Sequence, residues 1–129
     1  MSHPSPLSAF GNMLVRFFEE LQDTFPEERE IKLALKYIQD AKKINPRLIL
    51  ELFTEHVTGP LREFIAKEDE QSIIVYARAK MNSHMNEIMP ALAIFDKHWS
   101  GLSDMNREVI WKYLKVLVTL GDKAQGVRV

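Results

Sequence analysis

The sequence predicts an all-α protein, a compact single-domain bundle of five to seven helices. Three observations predict it. Apolar residues recur in steps of three and four along most of the chain, the period of one helix face. No apolar run alternates with period two between turn signals, as a strand would. Proline, glycine and small polar residues fall at the joints between the periodic stretches. Residues 1–7, with Pro4 and Pro6, are expected to be a flexible tail, 8–121 the helical domain, and 122–129 a second flexible tail.

The first helix, about 8–23, carries Phe10, Met13, Leu14, Phe17, Phe18 and Leu21 on one face. Thr24 and Glu27 have capping-box spacing, and Pro26 suits a first helical turn, so the second helix is expected over about 26–43. It would bury Ile31, Ala34, Leu35, Ile38 and Ala41, with Glu27, Glu28 and Glu30 near the positive end of its dipole. Asn45-Pro46 stops this helix and starts a third, which carries Ile49, Leu52, Phe53, His56 and Val57 until Gly59-Pro60 breaks it. A shorter helix with Leu61, Phe64 and Ile65 follows. A longer one, about 72–89, carries Ile73, Ile74, Ala77, Met81, Met85 and Ile88 up to Pro90, and 91–99 form another with Leu92, Phe95 and Trp99. After the Ser100-Gly101 turn, Ser103 caps a last helix that points Ile110, Tyr113, Leu114 and Leu117 inward and stops at Gly121.

The 129 residues suit one domain, and 46% hydrophobic against 27% charged residues is a globular balance rather than a disordered one. The formal net charge of −1 weighs against a dedicated nucleic-acid binder but leaves room for a local basic patch. There is no cysteine, which removes disulfides, thiol nucleophiles and cysteine zinc sites. No secretory leader and no membrane-length apolar stretch are visible. An intracellular location is expected, with no membrane partner.

Candidate chemistry is sparse. His84 and Glu87 could form half of a metal site, but the sequence holds no Glu-x-x-His pair of the kind di-iron bundles use. His56 reads as a hydrogen-bonded core residue, and His98 as a structural or surface one. Gly101-Leu102-Ser103-Asp104-Met105 lacks the second glycine and the preceding strand of a nucleophile elbow. A helix cap accounts for Ser103. No nucleophile, base and oxyanion donor converge in the pattern, so no enzymatic activity, cofactor or metal is expected.

Charge is segregated. Glu19, Glu20, Asp23, Glu27, Glu28 and Glu30 face only Arg29, whereas Lys32, Lys36, Lys42, Lys43 and Arg47 face only Asp40. Lys32, Lys36 and Lys43 share a helix face and Arg47 opens the next helix. This stripe could meet phosphates or an acidic partner, or it could be a solvated face whose lysines pair with neighbouring acids. The two helices around Asn45-Pro46 also fit a helix-turn-helix, with Arg47 near the start of a recognition helix, although Glu51 and Glu55 would face phosphates badly. Trp111, beside Ile110 at the edge of the apolar stripe, is either core or an exposed interface anchor.

The run FFEELQDTFPEEREIKLALKYIQDAKKINPRLILELF, with VYARAK and ALAIFDKHWSGLSDMNREVIWKYLKVL, resembles small helical proteins of the nucleocytoplasmic large DNA viruses, algal-infecting ones among them. The likeness spans residues 10–120. It implies a viral origin and a helical fold; the group has no assigned activity, so no site residue carries over. The resulting expectation is a non-enzymatic interaction protein, a viral structural or accessory component, located in host cytoplasm, nucleus or virion. Its partner-binding candidates are Lys32, Lys36, Lys43, Arg47 and Trp111. A protein partner is expected first, nucleic acid second, and self-association is left open.

Overall fold

The structure, a computed structural model, describes residues 5–81 and 97–126. Helix α1 is Pro6–Thr24. It starts two residues before the expected boundary because the Ser5 hydroxyl accepts a hydrogen bond from the Ser8 N–H (3.1 Å) and Pro6 supplies a preset first-turn φ. It also ends later than the capping box implies. The Thr24 hydroxyl donates back to the Glu20 carbonyl (2.8 Å), and Phe25 is drawn into the core. With Phe25 buried, Pro26 and Glu27 form a turn, and α2 is Arg29–Ile44.

Helix α3, Pro46–Phe53, continues through a π-helical turn, Thr54–Thr58, into α4, Gly59–Ala66. The expected break at Gly59-Pro60 is therefore an inserted residue rather than a helix end. The Gly59 N–H reaches back five residues to the Thr54 carbonyl. Pro60 has no N–H to give the His56 carbonyl, and the Tyr76 hydroxyl donates to it instead at 2.7 Å. Tyr76 belongs to α5, Glu70–Met81, so this hydrogen bond at the proline-made vacancy links α5 to the rod. Asp69 caps α5 by accepting from the Ser72 N–H (3.1 Å) and hydroxyl (2.7 Å).

The remaining described elements are a 3₁₀ turn, Trp99–Gly101, and α6, Asp104–Gln125. The Ser103 hydroxyl accepts from the Asn106 N–H (3.1 Å), so this serine is a cap. Gly121 is not the stop. It lies inside α6 against Phe10 and Leu50, and the helix ends at Gly126, whose φ of +78° is the left-handed cap conformation. Met85, Ile88, Leu92, Phe95, Pro90, His84 and Glu87, for which the sequence carries expectations, lie outside the described residues.

The architecture is all-α, with no strand among the described residues. Helix α1 is the hub, packed by α2, α3 and α6, while α4 packs on α5 and α6. Helices α1 and α6 run antiparallel: Phe10 lies beside Gly121, and the Phe17 and Tyr113 rings are 5.2 Å apart. The core joins Phe10, Leu14, Phe18, Ile31, Ile38, Ile49, Leu50, Leu61, Ile65, Ile73 and Leu117, all at most 2% exposed. A paired polar contact lies at this core edge. Arg62 of α4 meets Asp122 of α6 through two parallel hydrogen bonds of 2.7 and 2.8 Å.

Candidate functional site

The basic stripe of α2 divides in space. Lys32 and Lys36 border a groove of about 800 Å³ between α1 and α2, whose far wall carries Arg16, Glu19, Glu20 and Asp23. Lys36 also lies 3.6 Å from Asp40. This half of the stripe is a mixed-charge surface, largely compensated by its neighbours. Lys42 turns its aliphatic stem onto Gly11, with carbons 3.6 Å from the place a Cβ would take. Lys43 and Arg47 sit instead at the α2–α3 corner, both exposed, around Ile44 (85% exposed) and Leu48. Neither makes an ion pair among the described residues.

Trp111 takes the core alternative. It is 6% exposed and meets Trp99 edge to face at 5.3 Å. Trp99 is held in turn by Glu70, which accepts its indole N–H, and by Arg107, whose guanidinium donates to the Trp99 carbonyl at 2.8 and 3.1 Å. The exposed apolar side chains of this helix lie instead on its outer side. Met105, Val109 and Val116 are 74%, 40% and 39% exposed, and with Lys112 they form one line at steps of four, three and four. Tyr113 and, from α1, Met13 pack beside that line, half-buried.

Two hollows flank it. One, about 270 Å³, is lined by Met13, Val109, Tyr113 and Val116 with Arg16 and Lys112 at its edge. The other, about 250 Å³, lies among Met105, Val109 and Trp111, with Glu68, Glu108, Lys112 and Lys115 around it. The rim charges differ. Lys115 is already bonded to Glu68 at 2.6 Å, whereas Arg16 and Lys112 make no ion pair among the described residues. This row lies off the inward stripe of α6 that the sequence pattern singles out. The signal was present as a second apolar line at helical spacing on the far side of the same helix.

A third cluster ties residues 97 and 98 to the start of α2. Glu28 accepts from Lys97 (2.6 Å) and meets the His98 Nε2 at 2.7 Å, while the His98 ring stacks on Phe25 with centroids 4.4 Å apart. The hydrogen bond from Lys97, then that from His98, holds the Glu28 carboxyl below the usual glutamate range. Glu27, Glu28 and His98 offer ligand atoms within 4.8 Å of one another, but the Lys97 ammonium already takes the cation's position on Glu28. The cluster is a polar clasp, so of the two expectations for His98, structural or surface, its contacts fit the first. His56 is half-buried, with its ring nitrogen 3.8 Å from Glu55, so it is less enclosed than the sequence implied.

No described helix is long and apolar enough to cross a membrane. No protein-family model matches this chain, and comparison with curated proteins and with solved structures finds no match.

Proposed function

We propose that this protein is a non-enzymatic interaction module and that a protein partner docks on the outer face of α6. The observation that carries the reading is the line Met105, Val109, Val116. Isolated exposed apolar residues, such as Leu33 and Val75 here, are ordinary on a soluble surface. Three in register on one helix, flanked by two apolar-floored hollows, form a contiguous patch of the kind that marks interaction sites. In the viral setting that the sequence resemblance implies, such a module would serve as a structural or accessory component. The test is affinity capture from source-cell extract with the wild type and with Val109→Glu plus Val116→Glu. The variant is expected to melt like the wild type, since both positions are surface positions, and to lose the captured proteins. An unchanged set of captured proteins overturns the reading.

One observation favours a second reading, a nucleic-acid-binding accessory factor. Lys43 and Arg47 stand exposed and unpaired among the described residues, away from the acids that compensate Lys32 and Lys36. Under this reading a gel-shift series shows affinity for DNA falling steeply with salt, and Lys43→Glu plus Arg47→Glu abolishes it.

A further inference from the structure

We propose that the element seated on α6 is an amphipathic helix from an acidic partner, with apolar side chains filling the two hollows and a carboxylate between Arg16 and Lys112. This rests on the reading of α6 as the docking face and adds the chemistry of the occupant. The row from Met105 to Val116 runs straight along α6 for about 16 Å, three turns at 1.5 Å per residue. Its steps of four, three and four are the seam spacing that a second helix matches over several turns. The ridge of Val109 and Lys112 has a hollow on either side, so side chains from successive turns of the occupant can straddle it.

Charge decides the class of occupant. On the Met105 side the charges are mixed: Lys115 is bonded to Glu68, and Glu108 stands one turn before Lys112 on the same hollow. On the Tyr113 side the two rim charges, Arg16 and Lys112, are both positive and have no ion-pair partner among the described residues. Arg16 also borders the α1–α2 groove with Glu19, Glu20 and Asp23, but none of these acids lines this hollow. A helix laid over the row would strip water from the Arg16 guanidinium and the Lys112 ammonium on the Tyr113 side, where no acid lines the hollow, and this carries a cost. A carboxylate on the occupant's flank removes that cost.

A second copy of this chain fits poorly for the same reason. A face-to-face two-fold pairing with α6 antiparallel to its mate sets each flank against its own equivalent, so the Arg16–Lys112 rim meets another Arg16–Lys112 rim. A parallel pairing sets Lys112 directly on Lys112. Like charges in such a position disfavour the pairing.

The experiment selects a phage-displayed library of random 16-residue peptides on the full chain, with counter-selection on folded Val109→Glu. Survivors are expected to share apolar residues three, four and seven apart and an acidic residue on the flank. A synthetic survivor is expected to lose about tenfold in affinity on Arg16→Glu plus Lys112→Glu, the size of two partly exposed ion pairs. It should regain affinity when its own acidic residues become lysines. Survivors that depend on Val109 but ignore the charge reversal overturn the acidic occupant and leave α6 as a docking face. The absence of any Val109-dependent survivor overturns the helical occupant. A dimer of the free chain in light scattering that Val109→Glu dissociates overturns it in favour of self-association. Loss of the docking face itself is read separately, from unchanged capture by Val109→Glu plus Val116→Glu.

Discussion

Removing either member of the Arg62–Asp122 pair should destabilise the fold, but not equally. The two hydrogen bonds, 2.7 and 2.8 Å, are the bidentate arrangement that makes an arginine–carboxylate pair strong. The partners differ in burial: the Asp122 side chain is 8% exposed and that of Arg62 is 49% exposed. Asp122→Ala leaves a guanidinium that can turn to water, so the loss should be about 2 kcal/mol, above a surface pair and below a fully buried one. Arg62→Ala strands a buried carboxylate and should cost more, about 3 kcal/mol. At about 4 °C of melting temperature per kcal/mol for a domain of this size, the shifts are about 8 °C and 12 °C. The pH dependence has a definite sign. Arg62 holds the Asp122 carboxyl below its ordinary value of 3.8, so the pair's contribution is present above that value and fades as pH falls through the lower, folded one. The gap between wild type and Asp122→Ala should therefore be full at neutral pH and shrink in strong acid. Thermal melts followed by circular dichroism at several pH values read all of this. A loss under about 0.5 kcal/mol for both variants, or a larger loss for Asp122→Ala than for Arg62→Ala, refutes the burial argument.

Other consequences can be checked by the same melts. The Thr58 hydroxyl is buried without a hydrogen-bond partner among the described residues, so Thr58→Val should be neutral or stabilise by up to about 1 kcal/mol. The glycine inside α6 and the one that caps it should answer alanine with opposite signs. At Gly121 the added Cβ meets Leu50 and Phe10 at ordinary contact distances of 3.6 and 3.7 Å, and helix propensity favours the change by up to about 1 kcal/mol. At Gly126, with φ at +78°, the substitution should cost about 1 kcal/mol. Replacing Lys36, Lys43 and Arg47 together by Glu should leave the melting temperature within a few degrees, since all three are exposed, and leave capture through α6 intact; loss of that capture would return the working surface to the basic stripe.

The helical period was readable because each stripe is local: Phe10, Leu14, Phe17, Phe18 and Leu21 announce the face of α1 that the fold buries. Joints were harder, since they depend on where a residue goes in three dimensions. Thr24 and Glu27 have the spacing of a capping box, yet burial of Phe25 and the bonds of Glu28 to Lys97 and His98 decide the turn. Gly59-Pro60 looks like a break, and only the Tyr76 hydroxyl at the His56 carbonyl explains how the rod continues. Contacts between residues far apart in sequence, Arg62 with Asp122 or Trp99 with Trp111, leave no local trace. For the candidate surface, the basic residues were visible but their surroundings were not: Lys32 and Lys36 share a groove with acids of α1, and Lys43 and Arg47 do not line it. The outer row of α6 obeys the same spacing rule as the core stripe and was overlooked beside it.

The central claim, that a partner seats on the outer face of α6, is tested most directly by site-specific photo-crosslinking. Benzoylphenylalanine is placed at Val109, or at Val75 of α5 as a control that is more exposed, 63% against 40%, and the full chain is irradiated in source-cell extract. The account predicts a discrete adduct from position 109, lost when Val116→Glu is added, and none from position 75. Adducts of equal yield from both positions, or from position 75 alone, would contradict it.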